Sequence, residues 1–477
     1  MRSLFALMLA ARAAIAAEVN GYAESRSQLS RARVQGLLPT HELPQLLQLV
    51  ELNTQVRHAY VERGFFYGDL SLLLQVAGSY RGLDAQGAEV GLPDRDLAQN
   101  HPVVSLNELY ASHEVRPALH VLLGKKRVVW GSGLAFNPTD LFNPRKDPTD
   151  PTFQRAGAWM ASIEAPLESV AFTFAASPAV LRQDSGLPYQ LLLHPSWDVQ
   201  DSQYHYLLAA RAYALVRESD LNLMLFFGNR YGDDFENKLR VGASFSRYFF
   251  TDYELHVEAL VQAGSTRAYV RSPCVESALA ALQCQAEGTP FASQALLDDG
   301  RLVPKVLLGA RTQLADESML SLEYLYQGDG FSRAQMADWV SGLDLLRQAR
   351  ELGVPSERLP STGSLLGGAV DEGVPQKFSF EPLGRHYLFA TFQKPKIRDD
   401  FTVSASLVAS LTDLSSMLAP SVSWSAREWL QLSLFGFLPL PGPRALATTV
   451  PRTGEAVSEH TLLPVQYRAL FSARVFY

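Results

Sequence analysis

Polar and apolar residues alternate along most of the chain with a period of two. In 252–263, Tyr253, Leu255, Val257, Ala259, Val261 and Ala263 share one face, and Asp252, Glu254, His256, Glu258 and Gln262 share the other. In 401–411, Phe401, Val403, Ala405, Leu407, Ala409 and Leu411 alternate with Thr402, Ser404, Ser406 and Ser410. The chain ends with Val465, Tyr467, Ala469, Phe471, Ala473, Val475 and Tyr477 on one side and Gln466, Arg468, Ser472 and Arg474 on the other. These runs exceed the ~5–6 residues of ordinary soluble strands. Either a soluble sandwich or solenoid has one wet face, or a barrel meets lipid outside and water inside.

Connection lengths separate the two. The spans 439–463, 328–383, 268–303 and 178–202 are long, whereas 425–429, 315–318, 250–252, 217–220 and 165–169 are tight. Two connections fit less well: 412–415 is short where a long one is due, and 395–399 is middling. Short turns alternating with long loops is the pattern of a transmembrane barrel, whose closure removes the edges that so many strands would expose. Candidate strands fall near 19–33, 46–60, 65–81, 104–111, 118–129, 156–165, 169–177, 203–217, 220–229, 239–250 and 252–267. The others fall near 304–315, 317–327, 384–394, 400–411, 416–425, 428–438 and 464–477. The expectation is therefore an all-β, antiparallel transmembrane barrel of about 18 strands, with 16 as the alternative. A single domain spans 18–477, with long loops near 82–103, 130–155, 178–202, 268–303, 328–383 and 439–463. The loop 328–383 holds one helical stretch with Met336, Trp339, Val340, Leu343 and Leu346 on one face, expected to pack on the rim rather than to plug the lumen.

Composition narrows the class. The chain has 477 residues, 19% of them charged, and a net charge of −7, which argues against general nucleic-acid binding. Residues 1–17 carry Arg2, an apolar stretch and an Ala-x-Ala-like end, as a secretory leader does; a short buried helix is the alternative. No later run reaches the ~18 apolar residues of a membrane helix. Cys274 and Cys284 are candidates for one local disulfide in an exported chain, against two free thiols. Trp159, Trp424 and Trp429 lie near strand ends, where a membrane-interface girdle would place them.

Residues 127–144, Arg-Val-Val-Trp-Gly-Ser-Gly-Leu-Ala-Phe-Asn-Pro-Thr-Asp-Leu-Phe-Asn-Pro, are dense in turn formers. Gly131 and Gly133 permit a sharp bend, Pro138 and Pro144 cannot sit in a central strand, and Asn137, Asp140 and Asn143 can satisfy backbone amides. Trp130, Gly131, Asn137, Pro138 and Asp140 thus mark a rigid loop on the long-loop side. It either folds inward and narrows a channel or braces the barrel mouth.

Two features resemble a known family. The terminal strand from Phe471 through Val475 to the final aromatic Tyr477 looks like the assembly signal of bacterial outer-membrane proteins. Gly124, Trp130, Gly131, Asn137, Pro138 and Asp140 are similar to a segment of proteobacterial porin-like barrels, a broad group related to alginate-export channels. Lys125 and Lys126 stand where that segment has Arg-Gln. The resemblance implies an outer-membrane location and, as partners, outer-membrane lipid, lipopolysaccharide and the barrel-assembly machinery.

No zinc-protease, redox, nucleophile-elbow or phosphate-loop motif occurs, so no enzyme, cofactor or metal is expected. His256 with Glu254 and Glu258 could be an acid–base cluster, and 232–237 could hold a cation, but a wet pore wall and a solvated acidic loop account for both. Parity turns Arg211, Arg217, Arg240, Lys305, Arg311, Arg468 and Arg474 inward, against Asp252, Glu254, Glu258 and Glu323. Basic rings attract anions. The expected function is a channel for diffusion or export of small hydrophilic, anionic solutes; the alternative is a non-enzymatic envelope scaffold or export-complex component.

Overall fold

The computed structural model describes residues 17–32, 44–83, 89–92, 103–143, 157–178, 206–228, 238–265, 267, 269–270, 272–287, 292–293, 300–351, 382–462 and 465–477. The leader up to residue 16 and the acidic stretch 232–237 lie outside them.

Eighteen antiparallel strands follow one another around a closed barrel, each paired with its neighbour in sequence. They are β1 (Ala17–Ala32), β2 (Pro44–Val61), β3 (Gly64–Leu83), β4 (Val103–Arg116), β5 (Leu119–Lys126) and β6 (Ala158–Pro166). Next come β7 (Val170–Pro178), β8 (Tyr206–Val216), β9 (Ser219–Gly228), β10 (Lys238–Phe249), β11 (Tyr253–Ala263) and β12 (Leu302–Gln313). The barrel is completed by β13 (Met319–Gln327), β14 (His386–Ile397), β15 (Phe401–Ser410), β16 (Ser416–Arg427), β17 (Leu430–Leu440) and β18 (Val465–Phe476). β18 closes on β1 from Tyr22↔Phe476 to Ala32↔Val465, so the main sheet has no free edge between first and last strand. The two ill-fitting connections resolve. β14 continues through a register shift to Ile397 and turns at 398–400, and 411–415 is a short connection on the long-loop side.

Side-chain alternation follows the pleat. The outer faces of β8 to β11 present Leu208, Leu221, Leu223, Leu225, Leu239, Val241, Leu255 and Val257, all exposed. A soluble surface rarely leaves so continuous an apolar band bare, whereas a barrel exterior requires one. Aromatics rim this band. At the tight-turn end Phe401 stacks on Trp424 at 5.6 Å, with Trp429 exposed nearby in sequence. At the other end Tyr324 hydrogen-bonds His386 at 2.7 Å, and Tyr206 meets Phe227 at 6.0 Å. Trp159 sits half-buried at the start of β6.

The expectation for Arg217 and Asp252 is corrected. Arg217 lies in the β8–β9 turn with φ 47°, and Asp252 in the β10–β11 turn, both exposed beyond the wall. Left-handed turns built without glycine, as at Arg217–Glu218, escape a reading that looks for Asn-Gly.

The apolar core lies within the barrel and over its mouth. A helix, Arg333–Glu351, buries Met336, Trp339, Val340 and Leu343 against Tyr269, Phe331, Leu383, Val450, Val457 and Leu462 from the long loops. It is a rim element, part of a cap at the long-loop end. Cys274 and Cys284 are joined in this region, Cα to Cα 5.8 Å.

Candidate channel constriction

Residues 127–143 leave the end of β5 and turn into the barrel, where Trp130, Ala135, Phe136, Leu141 and Phe142 are buried. Asn143 closes the base of the loop: Val128 N–H donates to its Oδ1 at 3.1 Å, and its Nδ2 donates to the Val128 carbonyl and to Asp140 Oδ1. One amide thus supplies what a strand partner would. Asp140 N–H bonds the Asn137 carbonyl at 3.1 Å across the turn that Pro138 stiffens.

A loop inside a barrel has no strand to satisfy its amides, and orphaned buried donors are costly. Two wall carboxylates meet them. Glu258 on β11 accepts from Ser132 N–H (2.5 Å), Gly133 N–H (2.6 Å), Asn137 Nδ2 (3.2 Å) and Thr139 Oγ1 (2.8 Å). Glu323 on β13 accepts from Leu134, Ala135 (3.0 Å) and Phe136 (3.4 Å) N–H. Such charge-assisted bonds hold more firmly than neutral ones. Gly131, at φ +103°, is required: a Cβ there would fall 2.5 Å from Glu258 Oε1.

Aromatic contacts seat both ends of the loop. Trp130 meets Phe142 edge-on at 5.1 Å and Phe226 of β9 at 5.8 Å, while Phe136 lies 6.1 Å from Tyr387 and 6.4 Å from Phe389 on β14. The loop therefore lies inside the barrel along the arc of wall from β9 to β14.

The opposite arc is charged. Arg474 of β18 bonds Glu24 at 2.9 Å, and Arg26 bridges Glu24 at 2.8 Å and Glu51 at 2.6 Å. Ser71 donates to Glu51 at 2.9 Å, Asn53 and Asn107 donate to Asp69, and Arg127 at the loop base meets Asp69 at 3.3 Å and Glu108 at 3.4 Å. By contrast, the inward faces of β15 to β17 carry Thr402, Ser404, Ser406, Ser421, Ser423 and Ser433, hydroxyls without formal charge.

The six residues expected to line the lumen occupy different settings. Arg211 donates to Asn222 Oδ1 at 2.7 Å and lies 5.8 Å from the Trp130 ring. Arg240 is buried against Gln262 Oε1 (3.1 Å) and the Gly228 carbonyl (2.9 Å). Lys305 pairs with Asp329 at 3.2 Å, Arg311 with Glu254 at 3.4 Å and Arg474 with Glu24; Arg468 lies 4.9 Å over Phe437. Burial works to raise the Asp329 carboxyl, but the Lys305 and Arg267 charges and the Ser265 hydroxyl outweigh it and hold it at about 2.

The charge count taken from parity changes accordingly. Glu24, Glu51, Asp69 and Glu108 of the early strands join the inward acids. Glu258 and Glu323 hold the loop, a role no local pattern announced, although mid-strand inward carboxylates opposite a glycine-rich loop were a usable signal. On β18, Phe471 and Val475 face outward and are exposed, and Tyr477 continues that side.

No protein-family model and no curated protein matches the chain. Among solved structures it is similar to Pseudomonas aeruginosa OccK7 (OpdD), with 10% identity over 96% of this chain and 99% of that one at a TM-score of 0.48. Pseudomonas aeruginosa OccK5 (OpdH) matches with 8% identity over 96% and 98% at 0.47. Acinetobacter baumannii OccAB2 matches with 10% identity over 96% and 98% at 0.46.

Proposed function

We propose that the chain is a passive, non-enzymatic diffusion channel of a bacterial outer membrane for small hydrophilic solutes. The observation that carries this reading is the latched loop. A closed barrel with an apolar exterior holds a rigid segment inside it, latched to one arc of the wall by Glu258 and Glu323 and facing an arc of fixed ion pairs. A plain scaffold has no use for a narrowed polar passage, whereas a pore uses one to set the size and polarity of what crosses.

An anion preference is the finer part of the proposal. It rests on Arg211, which hydrogen-bonds a neutral amide and lies over an aromatic ring, with Glu164 and Asp220 acting on it only through their charge, where Arg311 and Arg474 meet carboxylates directly. Ion pairing elsewhere makes that preference weak. Lipid and lipopolysaccharide would contact the apolar band, and the assembly machinery would read the β18 end.

The test is reconstitution of the purified, heat-modifiable barrel in planar bilayers and in liposomes. Discrete conductance steps and swelling in small sugars or amino acids support the channel. A folded, inserted barrel that passes neither ions nor solutes overturns it in favour of the scaffold.

A further inference from the structure

Beside the loop anchor lies a histidine that the channel reading leaves unused. His256 on β11 is fully buried, and its ring lies flat across β12 because the facing residue there is Gly309. A Cβ at Gly309 would fall 1.9 Å from His256 Nε2, so any other residue would expel the ring. Glu323 is the next partner of Gly309 on β13. Crossing the bare glycine, His256 Nε2 comes 3.2 Å from Glu323 Oε1, the carboxylate that holds the Leu134, Ala135 and Phe136 amides.

The other nitrogen is left over. His256 Nδ1 is buried without a hydrogen bond, and its nearest carboxylate oxygen is Glu254 Oε1 at 3.7 Å. Glu254 is itself held by Arg311 at 3.4 Å and by the Tyr248 hydroxyl. The groups facing the ring are therefore Glu254 and Glu258 on its own strand, Arg311 from β12 and Tyr248 from β10 through Glu254, and Glu323 from β13. The loop contributes backbone amides.

We infer that His256 is a proton-sensitive positioning residue of the constriction: through Glu323 it sets how firmly residues 134–136 are held, and taking up a proton tightens that hold. The inference rests on the channel reading. Neutral His256 has one N–H. Placed on Nε2 it bonds Glu323, whereas on Nδ1 it would leave two acceptors facing each other. A proton from solvent adds to Nδ1 and no other bond breaks; the imidazolium still donates to Glu323 through Nε2, now as a charged donor, and its added charge faces Glu254 Oε1 at 3.7 Å. Attraction on both sides holds the ring, and Glu323 with it.

The experiment is single-channel recording of the whole barrel in planar bilayers between about pH 8 and about pH 5.5. The readout is the frequency of open-state current fluctuations, which report loop motion. In the wild type the frequency falls roughly three- to tenfold on acidification, the worth of one hydrogen bond. His256→Gln keeps a neutral donor toward Glu323, so its profile is flat. Gly309→Ala, which displaces the ring without removing it, is noisy at every pH. Heat-modifiable gel mobility establishes that each variant is folded. A flat wild-type profile, or a wild-type profile retained in His256→Gln, overturns the inference and leaves the channel standing. Absence of any conductance from the folded wild type overturns both.

Discussion

Tyr477 lies across Gly21. Its backbone exchanges both hydrogen bonds with Gly21 (3.1 and 3.3 Å), and its ring passes over that bare residue so that Oη reaches the Asn53 carbonyl at 2.7 Å. The last residue of the chain thereby ties the first strand to the second. A Cβ on Gly21 would sit 2.4 Å from the Tyr477 hydroxyl oxygen. Deleting Tyr477, or making Gly21→Val, is expected to lower the heat-modifiable, inserted fraction several-fold. Tyr477→Phe, which keeps the ring, should cost about 1 kcal/mol or less. Urea titration of the folded band on gels measures both, and unchanged insertion after deletion would remove the seam argument.

The loop anchors should behave as a unit. Glu258→Gln keeps one accepting oxygen toward the loop, turns the other site into a donor and gives up charge-assisted bonds, and Glu258→Ala leaves several amides without an acceptor. The expected order of conductance is Ala above Gln above wild type, with the Ala change destabilising the loop by roughly 3 kcal/mol or more. Recordings in planar bilayers rank the three, and identical conductances would mean that the loop does not set the narrowest point.

Selectivity isolates the contribution of Arg211. Under a salt gradient the wild type is expected to show a weakly anion-favouring reversal potential. Arg211→Ser should move it toward zero more than Arg311→Ser or Arg468→Ser, and the triple change should abolish it. Wild-type cation preference, or indifference to all three, would mean that the fixed acids of the opposite arc dominate the field.

The cap is expected to respond to pH through two neighbours. Burial is the main cause that raises Glu459, to about 7, and burial lowers His460, to about 4. Glu459 accepts the Leu383 N–H at 2.8 Å, and its own N–H bonds Asp413 at 2.6 Å, so it joins three loops. A raised acid stabilises the fold fully below its ordinary value near 4.5, and that contribution is lost as pH rises through about 7. The neutral imidazole stabilises above about 6.5, and its contribution is lost as pH falls through about 4. The two oppose between those limits, so the visible loss lies between about pH 6 and about pH 8. Amide-exchange protection in the Arg333–Glu351 helix, corrected for intrinsic rates, should fall about two- to threefold over that range in the wild type, where the His460 gain offsets part of the Glu459 loss, and rise about fourfold in Glu459→Gln. An equal fall in both proteins would place the cause elsewhere.

The strands were written locally. Period-two alternation is a property of consecutive residues, and the lipid face of a barrel strand must be apolar whatever lies inside, so the runs at 253–263, 401–410 and 465–476 announced themselves without tertiary information. The glycines and prolines of 127–144 likewise showed that no strand could continue there. What those residues close against was decided only by the fold. Glu258 and Ser132 stand 126 positions apart, and only the curvature of the wall brings them to 2.5 Å. Parity shows which way a side chain points and carries no information about the register of the neighbouring strand. It turns Arg311 and Arg474 inward without showing that Glu254 and Glu24 are their direct cross-strand partners, or that Gly309 gives the His256 ring a path to Glu323.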